Sequence, residues 1–69
     1  MIKNVIGENA GKVWKVLNEN MESNIEELKK KTKLKNDEIY LALGWLSREN
    51  KIIFFEENSV IKICLTDNE

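Results

Sequence analysis

Residues 39–52 read IYLALGWLSRENKI. Ile39, Ala42, Leu43 and Leu46 recur at i, i+3, i+4 and i+7, the spacing of one helix face. The helix is expected to end near Asn50, since asparagine tolerates the left-handed conformation common just past a helix end. From Ile52 the period changes to two. Ile52, Phe54 and Glu56 fall on one face of a strand, and Ile53, Phe55 and Glu57 on the other. The stretch is therefore the close of a helix, a sharp stop and the start of a strand. It also carries more apolar residues than one face uses, because Tyr40, Leu41 and Trp45 lie off the stripe.

Working forward, Asn58-Ser59 reads as a two-residue turn. Ile61, Ile63 and Leu65 then alternate with Val60, Lys62 and Cys64 in a second strand. Both strands are rich in β-branched and aromatic residues. A hairpin alone is unstable in water, so this one must pack on helices.

Working backward, Asn36 is placed to cap the helix, with Asp37 and Glu38 in its first turn and Lys33-Leu34-Lys35 as the connection before it. In SNIEELKKKTKL, Ser23 and Glu26 have the spacing of a capping box. Ile25 and Leu28 give that helix a short apolar face, and it should stop near Thr32. Its acids lie early and its lysines late, as the helix dipole favours. A first helix is expected from about Ile6 to Asn20, with Ile6, Ala10, Val13 and Leu17 on one face and Trp14 and Val16 widening it. The expected core joins these stripes to Ile25, Leu34, Phe54 and Ile61.

The chain has 69 residues, which allows one domain, 1–69. A domain of this size buries only about 60% of its unfolded surface and is marginal alone. Cys64 is the one cysteine and histidine is absent, so neither an internal disulfide nor a zinc site is implied. No cofactor is implied either. Formal net charge is -1, from 11 basic and 12 acidic residues, which argues against strong non-specific nucleic-acid binding but leaves local patches open. The start MIKNVIGENA lacks the apolar run of a secretory signal, and no stretch approaches a membrane span. A soluble, cytoplasmic domain is expected, with no membrane and no small-molecule substrate evident. Catalysis is not expected: there is no histidine, no Ser-x-x-Lys and no Gly-rich phosphate loop. Cys64 reads as a packing residue on a strand, with only Lys62 near it on the same face.

Two short helices joined by a tight turn and followed by a hairpin resemble a winged helix-turn-helix domain, an α+β fold of three helices and a two-strand wing. Leu28, Leu34, Ile39 and Leu43 fall where the helix-turn-helix pattern has apolar side chains. Ile39, Ala42-Leu43, Leu46, Asn50 and Ile52 resemble the signature that ends a recognition helix and enters the wing, and Leu65-Thr66 resembles the end of the second wing strand. The resemblance implies a short third strand near Met21–Ser23. IGENAGKVW (Ile6–Trp14) and YLALGWLSRENKI (Tyr40–Ile52) are similar to a family of small stand-alone bacterial winged-helix proteins of unassigned function. The chain departs from the general pattern at Lys29, where alanine is usual, at Lys33, where glycine is usual, and at Lys35, where a capping Ser or Thr is usual.

The resemblance implies binding of double-stranded DNA, with the third helix entering a major groove by its N-terminal part. KKKTKLK, Lys29–Lys35, sets five lysines in seven residues at the end of helix two and in the turn. The candidates for DNA contact are Lys29, Lys31, Lys33, Lys35, Asn36, Tyr40 and Arg48. The same lysines also satisfy a helix dipole and keep a small protein soluble. Against DNA stand Asp37 and Glu38 in the recognition helix and Glu56 and Glu57 near the wing tip, where carboxylates would face phosphates.

The alternative is a protein-interaction module on the same scaffold. Leu41 and Trp45, four residues apart, share a helix face off the core stripe. Trp45 either covers the base of the wing against Phe54 or Phe55, or anchors an interface. Gly7 and Gly11, also four apart and followed by Trp14, permit close approach of another backbone from the same chain or from a second one. Apolar residues on both strand faces, Phe55 among them, exceed what one helical layer covers and favour a homodimer. The interface candidates are Gly7, Gly11, Trp14, Leu41, Trp45 and Phe55.

Overall fold

Six elements follow one another in the computed structural model, which describes residues 2–66. They are α1 (Ile2–Asn20), β1 (Glu22–Asn24), α2 (Ile25–Thr32), α3 (Asn36–Arg48), β2 (Ile52–Glu57) and β3 (Val60–Leu65). The sheet is antiparallel, in the order β1-β3-β2, and the three helices pack on one side of it: a winged helix, with the third strand in place.

All three helices stop on a left-handed residue: Met21 (φ 74°), Lys33 (φ 64°) and Asn50 (φ 59°). At α3 the Lys51 amide donates to the Leu46 carbonyl at 2.9 Å, the wide loop that closes a helix over a left-handed residue. At α2 the Lys33 amide donates to Lys29 O at 2.8 Å. Lysine thus adopts the conformation that glycine usually supplies in this turn, at a cost of roughly 1 kcal/mol. Thr32 ties the same turn, its hydroxyl donating to Leu28 O at 2.6 Å and accepting from the Leu34 amide at 3.2 Å.

The helix starts differ from expectation. α1 begins at Ile2, not Ile6; Ile2 and Val5 are exposed, so they add nothing to the buried stripe that marked this helix in the sequence. The capping box of α2 is Asn24 and Glu27, one residue later than Ser23 and Glu26. The Glu27 amide donates to Asn24 Oδ1 at 2.8 Å and the Asn24 amide to Glu27 Oε1 at 3.1 Å. Ser23 is unavailable because it pairs with Ile63 inside the sheet and faces the core. α3 is capped at Lys35, not Asn36: the Lys35 amide donates to Glu38 Oε1 at 2.8 Å.

The core comprises Ala10, Val13 and Leu17 of α1, Leu28, Leu34, then Ile39, Ala42, Leu43 and Leu46 of α3, closed by Ile52 and Ile63. Removing each such large side chain from water contributes about 1.5–3 kcal/mol. Ile6 and Ile25 are only half-buried. Phe54 and Ile61, expected in the core, are 46% and 56% exposed. Both lie on the sheet face that carries Ile52 and Ile63, since Phe54 pairs with Ile63 and Glu56 with Ile61. The alternation is as read, but the hairpin runs past the helices and its outer half is uncovered. Asn58 and Ser59, both at positive φ (55° and 67°), make the turn that suits the twist of the two strands.

Candidate functional site

α2, the turn and α3 present one surface. Lys30, Lys31, Lys33 and Lys35 are exposed there, while Lys29 is half-buried and lies along the packed side of α2. The solvent side of α3 carries Asn36, Asp37, Tyr40, Gly44 and Arg48. Lys31 thus sits in the last turn of α2, Lys33 and Lys35 in the connection, Asn36 and Tyr40 in the first two turns of α3, and Arg48 at its far end.

Three of the four acids that oppose a DNA role have partners of their own. Glu38 turns its carboxylate back onto the Lys35 amide, and Asp37 Oδ1 accepts from the Glu38 amide at 2.9 Å. Both offset the exposed N–H groups of the α3 N-terminus. Glu57 Oε1 stands 3.2 Å from Lys62 Nζ, on the sheet face away from the helices. Lys62 also lies 3.7 Å from Glu22, so the central strand ties to both of its neighbours through one ammonium. The hydrogen bond and charge of Glu57, with smaller contributions from Glu22 and Glu27, hold the Lys62 ammonium above the usual lysine range. Glu56 is exposed on the opposite face, beside Ile61.

The candidate interface residues divide among three places. Gly7, Gly11, Trp14 and Trp45 line an open groove of about 320 Å3 between α1 and the end of α3, with Glu49 and Lys51 at its rim. Trp45 is half-buried and packs against the core from the α1 side, over Gly7. Leu41 lies in a second hollow of about 430 Å3 with Ile2, Val5, Ile6, Asn9 and Glu38. Ile2, Val5 and Leu41 are exposed and make an apolar patch across the two helices. Its α1 half fell outside the helix expected from the sequence; Ile2 and Val5, three residues apart, were the available signal. Phe55 is half-buried on the outer sheet face with Ile53 and Cys64.

Residues 1–65 match the family model described as a winged helix-turn-helix domain, DUF2582. The chain belongs to that family. It is 37% identical over 62 residues to the uncharacterized protein MJ1608 of the archaeon Methanocaldococcus jannaschii, covering 84% of this chain and 89% of that one. The solution NMR structure of protein BT2368 from Bacteroides thetaiotaomicron superposes with a TM-score of 0.86 at 45% identity, covering 94% of this chain and 79% of that chain. These two relatives come from an archaeon and a bacterium, so they do not restrict the family to bacteria. No described helix is long and apolar enough to cross a membrane.

Proposed function

We propose that this protein binds double-stranded DNA as a cytoplasmic, homodimeric transcriptional regulator without enzymatic activity. The observation that carries the reading is the leading end of α3: exposed lysines on the adjoining α2 and turn surround it, and both of its acids are folded back onto backbone amides. Lys31, Lys33 and Lys35 contact phosphates and set the register, while Asn36 and Tyr40 reach base edges. Arg48 adds a phosphate contact from the far end of the helix.

A titration of a random-sequence duplex tests this, starting at low salt and repeated as salt is raised. The expected result is binding with a dissociation constant of roughly 0.1 mM to 1 μM, and a log-log salt slope of about -0.9 per phosphate neutralised. Lys31→Glu with Lys33→Glu should abolish the binding and leave the fold intact. Failure to bind even at low salt would reject the reading.

A second reading is favoured by the apolar patch of Ile2, Val5 and Leu41, which suits a protein partner better than a polyanion. Under it the scaffold is an interaction module, and the lysines are a solvated face. The lysine pair variant then changes no binding activity.

A further inference from the structure

We propose that two copies of this chain join edge to edge through β2, in one register, to make a continuous six-stranded sheet. The proposal deepens the reading of the protein as a homodimer by naming the surface. It stands apart from the DNA reading, which the duplex titration tests separately.

The two edges of the sheet differ. β1 is three residues long and polar, Glu22–Asn24, as natural edges tend to be. β2 is six residues, IIFFEE, and among the described residues its backbone pairs with β3 alone. Ile53 and Phe54 are 47% and 46% exposed, on opposite faces of that strand. No proline or lysine interrupts it, and its acids are confined to the tip. A long, apolar, unguarded edge is a template for another strand.

The backbone phase is fixed. The Thr66 amide donates to the Lys51 carbonyl at 3.0 Å, so Lys51 is turned toward β3. Antiparallel ladders alternate, and Ile53, Phe55 and Glu57 share that direction. Ile52, Phe54 and Glu56 therefore aim their N–H and C=O groups out of the sheet. A symmetric antiparallel pair needs one twofold axis along this edge. Placed at Phe54, the axis pairs Phe54 with the partner's Phe54, Ile53 with the partner's Phe55, and Lys51 with the partner's Glu57. The Ile53 and Lys51 pairings each occur twice. Only Ile52, set against the partner's Glu56, joins unlike chemistry.

Sliding the axis by one residue either way is worse. Centred on Ile53, it sets Lys51 against the partner's Phe55. Centred on Phe55, it sets Ile53 against the partner's Glu57 and Phe54 against the partner's Glu56. Charge complementarity and apolar overlap thus select the same register. The pairing also gives Glu57 a use away from DNA, shared between Lys62 of its own strand pair and Lys51 across the axis.

Sedimentation equilibrium of the full chain, with NMR on the same sample, tests this. The expected result is a dimer whose Phe54 and Glu56 amides exchange slowly, and an intermolecular Hα–Hα contact between Ile53 and the partner's Phe55, the close pair of this register. Lys51→Glu should weaken the dimer about tenfold. Adding Glu57→Lys to it should restore the dimer. A dimer with fast-exchanging Phe54 and Glu56 amides, or one indifferent to Lys51→Glu, overturns the β2 interface while leaving dimerisation standing. A monomer at all concentrations overturns both.

Discussion

Trp45 lies over Gly7, with its Cζ2 atom 3.9 Å from where a Cβ on Gly7 would stand. That is ordinary van der Waals distance, so the groove has room for a methyl group. A glycine inside a helix costs about 1 kcal/mol against alanine. Gly7→Ala should therefore raise stability by about 0.5–1 kcal/mol, read from the midpoint of a denaturant melt. Gly11 meets nothing within 4 Å and should respond alike. A loss of stability at Gly7 would mean that Trp45 is seated more tightly than its position implies. If Gly11→Ala stabilises the chain but dissociates it, α1 and not β2 carries the dimer.

The turn between α2 and α3 makes a second, sharper case. Lys33 sits at φ 64° and ψ 21°, where a side chain is strained. Lys33→Gly should stabilise the fold by about 1 kcal/mol. The same substitution should lower duplex affinity and reduce the salt slope by about 0.9. Stability and binding moving in opposite directions would mark Lys33 as retained for contact rather than for folding. If affinity does not move, Lys33 takes no part in DNA binding.

Much of this architecture was legible in residues 39–52, because a helical period, a left-handed asparagine and a period of two follow one another there. The left-handed turn at Lys33 was legible too, as a departure from glycine. What the pattern hid was geometric coverage. Phe54 and Ile61 alternate as core residues do, but alternation says which face a side chain takes and not how far the helices reach along it. The cap of α2 was hidden by overlap: SNIEE holds two boxes one residue apart. The choice fell to the strand pairing of Ser23 with Ile63, a long-range contact that no local window contains. The acids at Asp37 and Glu38 were visible, but not the return of their carboxylates onto the backbone.

That overlap yields a paired test. Asn24→Ala removes the working cap and should cost about 1 kcal/mol. Ser23→Ala should not: the Ser23 hydroxyl is buried and has no hydrogen-bond partner among the described residues. Relieving a buried unpaired hydroxyl should leave stability unchanged or raise it by up to about 1 kcal/mol. Thermal melts of the two variants side by side check this. The reverse order of effects would restore Ser23 and Glu26 as the box.

Lys62 is held above its ordinary range first by its hydrogen bond to Glu57, then by the charges of Glu57, Glu22 and Glu27, with desolvation opposing. A group whose pKa is higher folded than unfolded binds its proton more tightly in the native state. Its stabilisation is then fully present below the unfolded value, near 10.4 for lysine, and is lost as pH rises through the folded value. The tie between β3 and its two neighbours should accordingly hold through neutral pH and weaken in strong alkali. Amide exchange at Phe55, paired with Lys62 on the β2 side, and at Ser23, paired with Ile63 on the β1 side, should report it. Lys62→Met keeps the length of the side chain and removes the charge. It should loosen both pairings at neutral pH and erase this alkaline step. A variant with an unchanged alkaline step would show that Lys62 does not tie the sheet.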